Sequence, residues 1–173
     1  TNPLLVTMNS SRNITANFQP LVLISNIITP SKKTYGLSQL KSNVLHYTDR
    51  TYKVTTVPPV LNLAPFIRTP NDDKGNTSST LLQFTLAQAA TVYIAYDPRA
   101  TKLPSWLNGW LKSPSILGIT DPSITFLNLY SKTYPAGKVT IGGNMVSPAN
   151  GARNNYLVIA VAQAQPAQYS LTV

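Results

Sequence analysis

Cysteine is absent from this 173-residue chain, and so is glutamate. Without thiols there is no disulfide to staple the fold and no thiolate to act as nucleophile or metal ligand. The acids are five aspartates, Asp49, Asp72, Asp73, Asp97 and Asp121, and His46 is the only histidine. Paired-carboxylate hydrolysis, a histidine-rich metal centre and a Ser-His-Asp relay each need more groups than this, or need every available one to converge. Charge is sparse as well, at 11% of residues. No apolar run approaches the roughly 18 residues of a membrane-spanning helix, and no helical periodicity lasts beyond about two turns. No leader segment is evident, and the start at Thr1 leads us to expect a piece of a longer protein.

What remains is rich in strand formers and turns. Apolar residues make up 43% and proline numbers 14, which suits one all-β domain with a packed core. Strands are expected near 20–27, 44–48, 51–57, 80–87, 91–97, 124–131, 137–141 and 155–162. Turn-rich pieces such as Pro58-Pro59, Pro70–Gly75, Asp121-Pro122 and Pro148–Gly151 separate them. Many short strands at this spacing predict an antiparallel β-sandwich, jelly-roll or immunoglobulin-like. In 91–97, Val92, Ile94 and Tyr96 share one face and Tyr93, Ala95 and Asp97 the other. The near-continuous apolar run Tyr156–Val161 reads as a central strand. Residues 98–122 read as one long loop bearing Trp106 and Trp110, the only tryptophans; loops of that length are often functional.

Fourteen basic residues against five acidic ones give a net charge of +9. Such a balance invites a polyanion, although solubility of a Ser-, Thr- and Asn-rich surface explains it equally. The bases are scattered, with Lys32-Lys33 the one pair in sequence, and no nucleic-acid-binding motif is present. An acidic polysaccharide fits this pattern better than nucleic acid, and nothing points to membrane insertion.

Trp106 and Trp110 lie four apart, so a helical turn would put them on one face. Exposed, they would form a platform for the C–H face of a pyranose, with Trp110 expected to be the more open; buried, they would cap the sandwich. Tyr96, Tyr130 and Tyr134 are candidates to extend the platform, and Asp97, Arg99 and Lys132 to hydrogen-bond sugar hydroxyls. Asp97 with Arg99, and Asp49 with Arg50, also read as structural ion pairs. Asn71-Asp72-Asp73-Lys74-Gly75-Asn76 offers oxygen ligands to calcium through Asp72 and Asp73. An Asx-rich turn explains the same letters without an ion, and no cofactor is otherwise implied. His46-Tyr47 beside Arg50 has the groups of a uronate lyase, but adjacent strand residues point to opposite faces. Gly142-Gly143 reads as a tight turn or bulge.

Two resemblances bear on organisation. VTMNSSRNITANF, within residues 1–19, resembles the closing hairpin of internalin-type B-repeats of bacterial surface proteins, and YSLTV, within 166–173, resembles the opening strand of another. The stretches Tyr47–Tyr52, Ile67–Lys74, Val92–Arg99, Leu103–Leu107, Leu129–Lys132 and Pro135–Asn144 resemble a β-sandwich module found in exported bacterial proteins that act on polysaccharides. The resemblances imply a module over 20–165 set between repeats, extracellular or on the cell surface; the two end pieces read equally simply as edge strands of the central sandwich. The resemblances also imply carbohydrate binding or a galactose-binding-like sandwich, and supply no catalytic residues to carry over. The alternative reading is a structural or adhesive spacer, pairing with neighbouring domains or copies through terminal strands.

Overall fold

The computed structural model describes residues 22–164. Its strands, in chain order, are β1 (Ile24–Ile28), β2 (Gly36–Gln39), β3 (Pro65–Arg68), β4 (Leu82–Leu86), β5 (Ala90–Tyr96), β6 (Leu111–Gly118), β7 (Phe126–Tyr134), β8 (Gly137–Ile141) and β9 (Leu157–Ala162). No α-helix occurs among the described residues. Three single 3-10 turns, Pro59–Leu61, Asn71–Asp73 and Ser105–Leu107, are each capped by a proline, Pro58, Pro70 and Pro104, whose ring presets the backbone. The hairpin expected at 1–19 and the strand expected at 166–173 lie outside the described residues.

The strands form an antiparallel sandwich, as expected. A three-stranded sheet runs β1-β4-β8 and a six-stranded one β2-β3-β9-β5-β7-β6, with every pairing antiparallel. Period-two alternation makes the core between them. Leu82, Phe84 and Leu86 from β4 face Val92, Ile94 and Tyr96 from β5, and Val139, Ile141, Val158 and Ala160 complete the layer.

The outer face of the larger sheet is buried too. Leu40, Tyr47, Val54 and Leu61, from the irregular stretch 40–64, cover Phe66, Ala95, Leu129, Leu157 and Ile159. With both faces covered, β9 must be apolar throughout, which is why its sequence reads as a central strand.

Two expectations are corrected. Residues 44–48 and 51–57 are not ladder strands; they touch through single bridges, Leu45 to Lys53, Tyr47 to Thr69 and Val54 to Ile119. Their apolar side chains lie face-down on the large sheet instead of extending it. The loop expected over 98–122 is shorter, because β6 occupies 111–118 and forms the sheet's edge.

Candidate functional site

Sheet width positions the site. Three strands cannot cover the inner face of six, and the segment between β5 and β6 fills the margin that is left. Leu107 and Trp110 from this segment join the inter-sheet core. At its start, the buried Asp97 carboxylate accepts hydrogen bonds from the Arg99 backbone and side chain and from the backbone N–H groups of Arg153 and Asn154. Further along, Lys102 and Asn150 exchange backbone hydrogen bonds, tying the crossing to the 143–150 loop.

Four rings follow one another along this crossing. Tyr134 stands 5.9 Å from Trp110, Trp110 stands 6.3 Å from Trp106, and Trp106 stands 5.4 Å from Tyr156, centroid to centroid. Such spacings are those of edge-to-face and tilted aromatic contacts. Trp110 is 7% exposed and its indole N–H donates to the Trp106 carbonyl. Trp106 and Tyr134 are half-buried. The Trp106 indole N–H donates to the Gly143 carbonyl at 2.9 Å, and a Cβ at Gly142 would collide with the indole ring. Gly142 is thus required by close approach.

Lysines border the row. Lys132 stands over the Tyr134 ring at 5.5 Å, and register places it opposite Val92, on the inner face. Lys112 pairs with Tyr130, itself opposite Ile94, so it shares that face. Both lysines are exposed, and neither has a carboxylate within salt-bridge range among the described residues.

Several expected ligand groups are corrected by burial or are engaged within the protein. Tyr96 is fully buried, and its hydroxyl donates to the Asn144 carbonyl; a core ring cannot extend a platform. Trp110, expected to be the more open indole, is the more sealed, because the segment lies face-down on β7. Tyr130 is buried as well. Asp97 and Arg99 are engaged with each other at 2.7 Å and sit at the opposite end of β5 from the strand end that pairs with Tyr134. Of the expected residues, Trp106, Trp110, Lys132 and Tyr134 are brought together.

The remaining acids hold loops. Asp49 accepts backbone N–H bonds from Asn71 and Asp72 at the start of the Asn71–Asp73 turn and lies 3.4 Å from Arg50. Arg50 also pairs with Asp72, an ion pair that lowers the pKa of Asp72. Asp73 accepts from Lys33 and from the Tyr35 hydroxyl. The two carboxylates read as calcium ligands therefore face different cations of the protein, and no cluster of three metal-ligating groups exists among the described residues. Asp121 accepts from the Ser123 backbone and the Asn154 amide. His46 and Tyr47 are both sealed, and the Tyr47 hydroxyl donates to the Asn155 carbonyl. Neither can reach a polymer at the surface, which removes the lyase arrangement.

A groove of about 550 Å³ opens beside the crossing, lined by Thr77, Lys102, Ser147 and Asn150 with Met145 and Pro148. Lys102, Lys112 and Asn150 carry no motif or spacing that marks them in the sequence. Their neighbours are set by strand register and by the Lys102–Asn150 bridge, neither of which is a local signal.

Two solved structures share this fold. One is a beta-glucuronidase from glycoside hydrolase family 2, at TM-score 0.71 and 19% identity, matching 81% of this chain and 15% of that one. The other is a GH138 enzyme targeting pectin rhamnogalacturonan II, at TM-score 0.51 and 9% identity, matching 78% of this chain and 16% of that one. At these identities the likeness is one of fold. No protein-family model matches the chain, and no curated protein matches it. The chain thus spans a small part of each of two large carbohydrate-active enzymes.

Chemically, two rings of the row, Trp106 and Tyr134, offer half-open apolar faces, with cations beside them. Its indole N–H groups are already bonded, so contact there rests on stacking and charge.

Proposed function

We propose that this β-sandwich is a non-catalytic carbohydrate-binding domain of a larger protein that works outside the cell or on its surface. The observation that carries this reading is the pair of half-open rings, Trp106 and Tyr134, joined through the buried Trp110, with Lys112 and Lys132 on the same face. Half-open rings stack on the C–H face of a sugar, and adjacent unpaired lysines favour polymers with anionic groups. Two further facts support it. The fold recurs as a minor part of two glycoside hydrolases, and all five aspartates are engaged in loop-holding contacts.

Affinity electrophoresis through gels containing neutral and acidic polysaccharides tests the proposal. Trp106→Ala and Tyr134→Ala each remove an accessible ring and are expected to weaken retention about tenfold, the worth of one lost stacking contact of about 1.5 kcal/mol. Trp110→Ala is unsuitable, since truncating a buried indole costs about 3–5 kcal/mol of stability. Unchanged retention in both usable variants contradicts the proposal.

A further inference from the structure

The groove beside the ring row is built before anything binds. Its 143–150 loop is fixed by backbone hydrogen bonds from Gly143 to Ser78, Met145 to Asn76, Val146 to Gly143 and Ala149 to Val146, and by the Lys102–Asn150 exchange. Gly151, at φ +86°, closes the loop where a Cβ would press on the Arg99 carbonyl. A concavity whose shape is held by main chain does not need ordering on binding. It is a shallow, open groove of about 550 Å³, suited to one unit of a chain that runs across the surface.

The lining alternates in chemistry. Hydroxyls of Thr77 and Ser147 and the Asn150 amide supply hydrogen bonds, while Met145 and Pro148 supply apolar surface. Lys102 is the one charged group, it is exposed, and no carboxylate lies within salt-bridge range of it among the described residues. A sugar ring has the same division into hydroxyl edge and C–H face, and an exposed lysine without a carboxylate partner favours an anionic group on it.

We propose that this groove binds an anionic sugar unit, carboxylate or sulfate, with Lys102 as the charge that selects it. This rests on the carbohydrate-binding reading and deepens it. Lys102 and Trp106 belong to one segment, and Trp106 is bonded to Gly143 at the head of the groove's loop. Trp106 and the groove's loop therefore share one scaffold.

The test uses Lys102→Met, which removes the charge and keeps the stem and the backbone bridge, with Lys138→Met on β8 as control. Lys138 is exposed and lies on the other sheet. Each variant is run against polygalacturonate, alginate and dextran sulfate and against neutral galactan and dextran, after matching melting temperatures establish the fold. The expected result is about fivefold weaker retention by an acidic polymer for Lys102→Met alone, with neutral retention unchanged; this is the effect of one partly solvated charge contact. Retention by the carboxylate polymers but not the sulfated one, or the reverse, identifies the anion. Equal loss in both variants, no loss in either, or retention by neutral polymers only overturns the proposal while leaving the ring-row reading standing. No retention by any polymer overturns both.

Discussion

At Asp97, N–H donors from Arg99, Arg153 and Asn154 converge on one buried carboxylate. Burial by itself would raise its pKa; the bonds from Arg99 and Arg153 outweigh that and hold it below the ordinary carboxylate value. His46 shows the reverse. It is fully buried, and burial pushes its pKa down to about 4 from 6.5, with Asp121 and the Tyr52 backbone opposing the shift and Arg68 adding to it. Between those two pH values the unfolded chain holds a proton that the folded one refuses. Stability therefore falls as pH drops from 6.5 towards 4, by on the order of 3 kcal/mol in total. Replacing His46 with Phe, which keeps a ring against Tyr47 and Tyr52, is expected to flatten that slope. Urea midpoints at about pH 7 and about pH 4.5 measure it; an undiminished slope in the variant contradicts the assignment. Residue types were legible in the sequence, while their exposure was not. The four-residue spacing of the tryptophans left both an open platform and a buried cap possible, yet Trp110 is sealed because a three-stranded sheet leaves a margin to fill, a fact no local pattern carries.

Among the elements, those with clean alternation or continuous apolarity were readable: β4, β5, β8 and β9 fall where period-two patterning puts them. The stretch 44–57 has the same pattern and is not a strand. Val44, Tyr47, Tyr52, Val54 and Val57 all pack on the second core cluster, so their spacing reflects burial against a sheet face, which periodicity cannot distinguish from pairing at an edge. The short β2 and β3 begin on Gly36 and Pro65, residues that read as punctuation. β6 was hidden by Ser113, Pro114 and Ser115, which are at home on an edge strand. Its exposed Leu111 and Ile116 are joined by a register shift between Lys112 and Ile116 that spans Pro114. Lysine, proline and irregularity together blunt an edge that would otherwise pair with another chain. The double variant Lys112→Val, Pro114→Val removes two of these guards. Sedimentation over a concentration series is expected to show self-association stronger than in the parent; identical profiles would mean the edge is protected by other means.

At the scale of the whole molecule, the engagement of every aspartate sets the electrostatics. Of the 13 basic residues among 22–164, three (Lys33, Arg50 and Arg99) are in salt bridges, which leaves ten without a carboxylate partner. The positive field is thus carried at the surface, where salt screens it within about 8–10 Å at physiological ionic strength. Stacking on Trp106 and Tyr134 is insensitive to salt, so the two contributions separate in one titration. Affinity for an acidic polysaccharide is expected to fall several-fold between about 0.05 and 0.5 M sodium chloride. Affinity for a neutral polymer, held by the rings, is expected to stay level. Isothermal titration with both polymers measures the pair of slopes. Equal slopes would mean that charge has no part in selecting the ligand; collapse of acidic binding to nothing at high salt would mean that the rings do not touch it. A residual salt-resistant affinity for the acidic polymer, equal to that for the neutral one, is the outcome that joins the lysines and the rings in one binding surface.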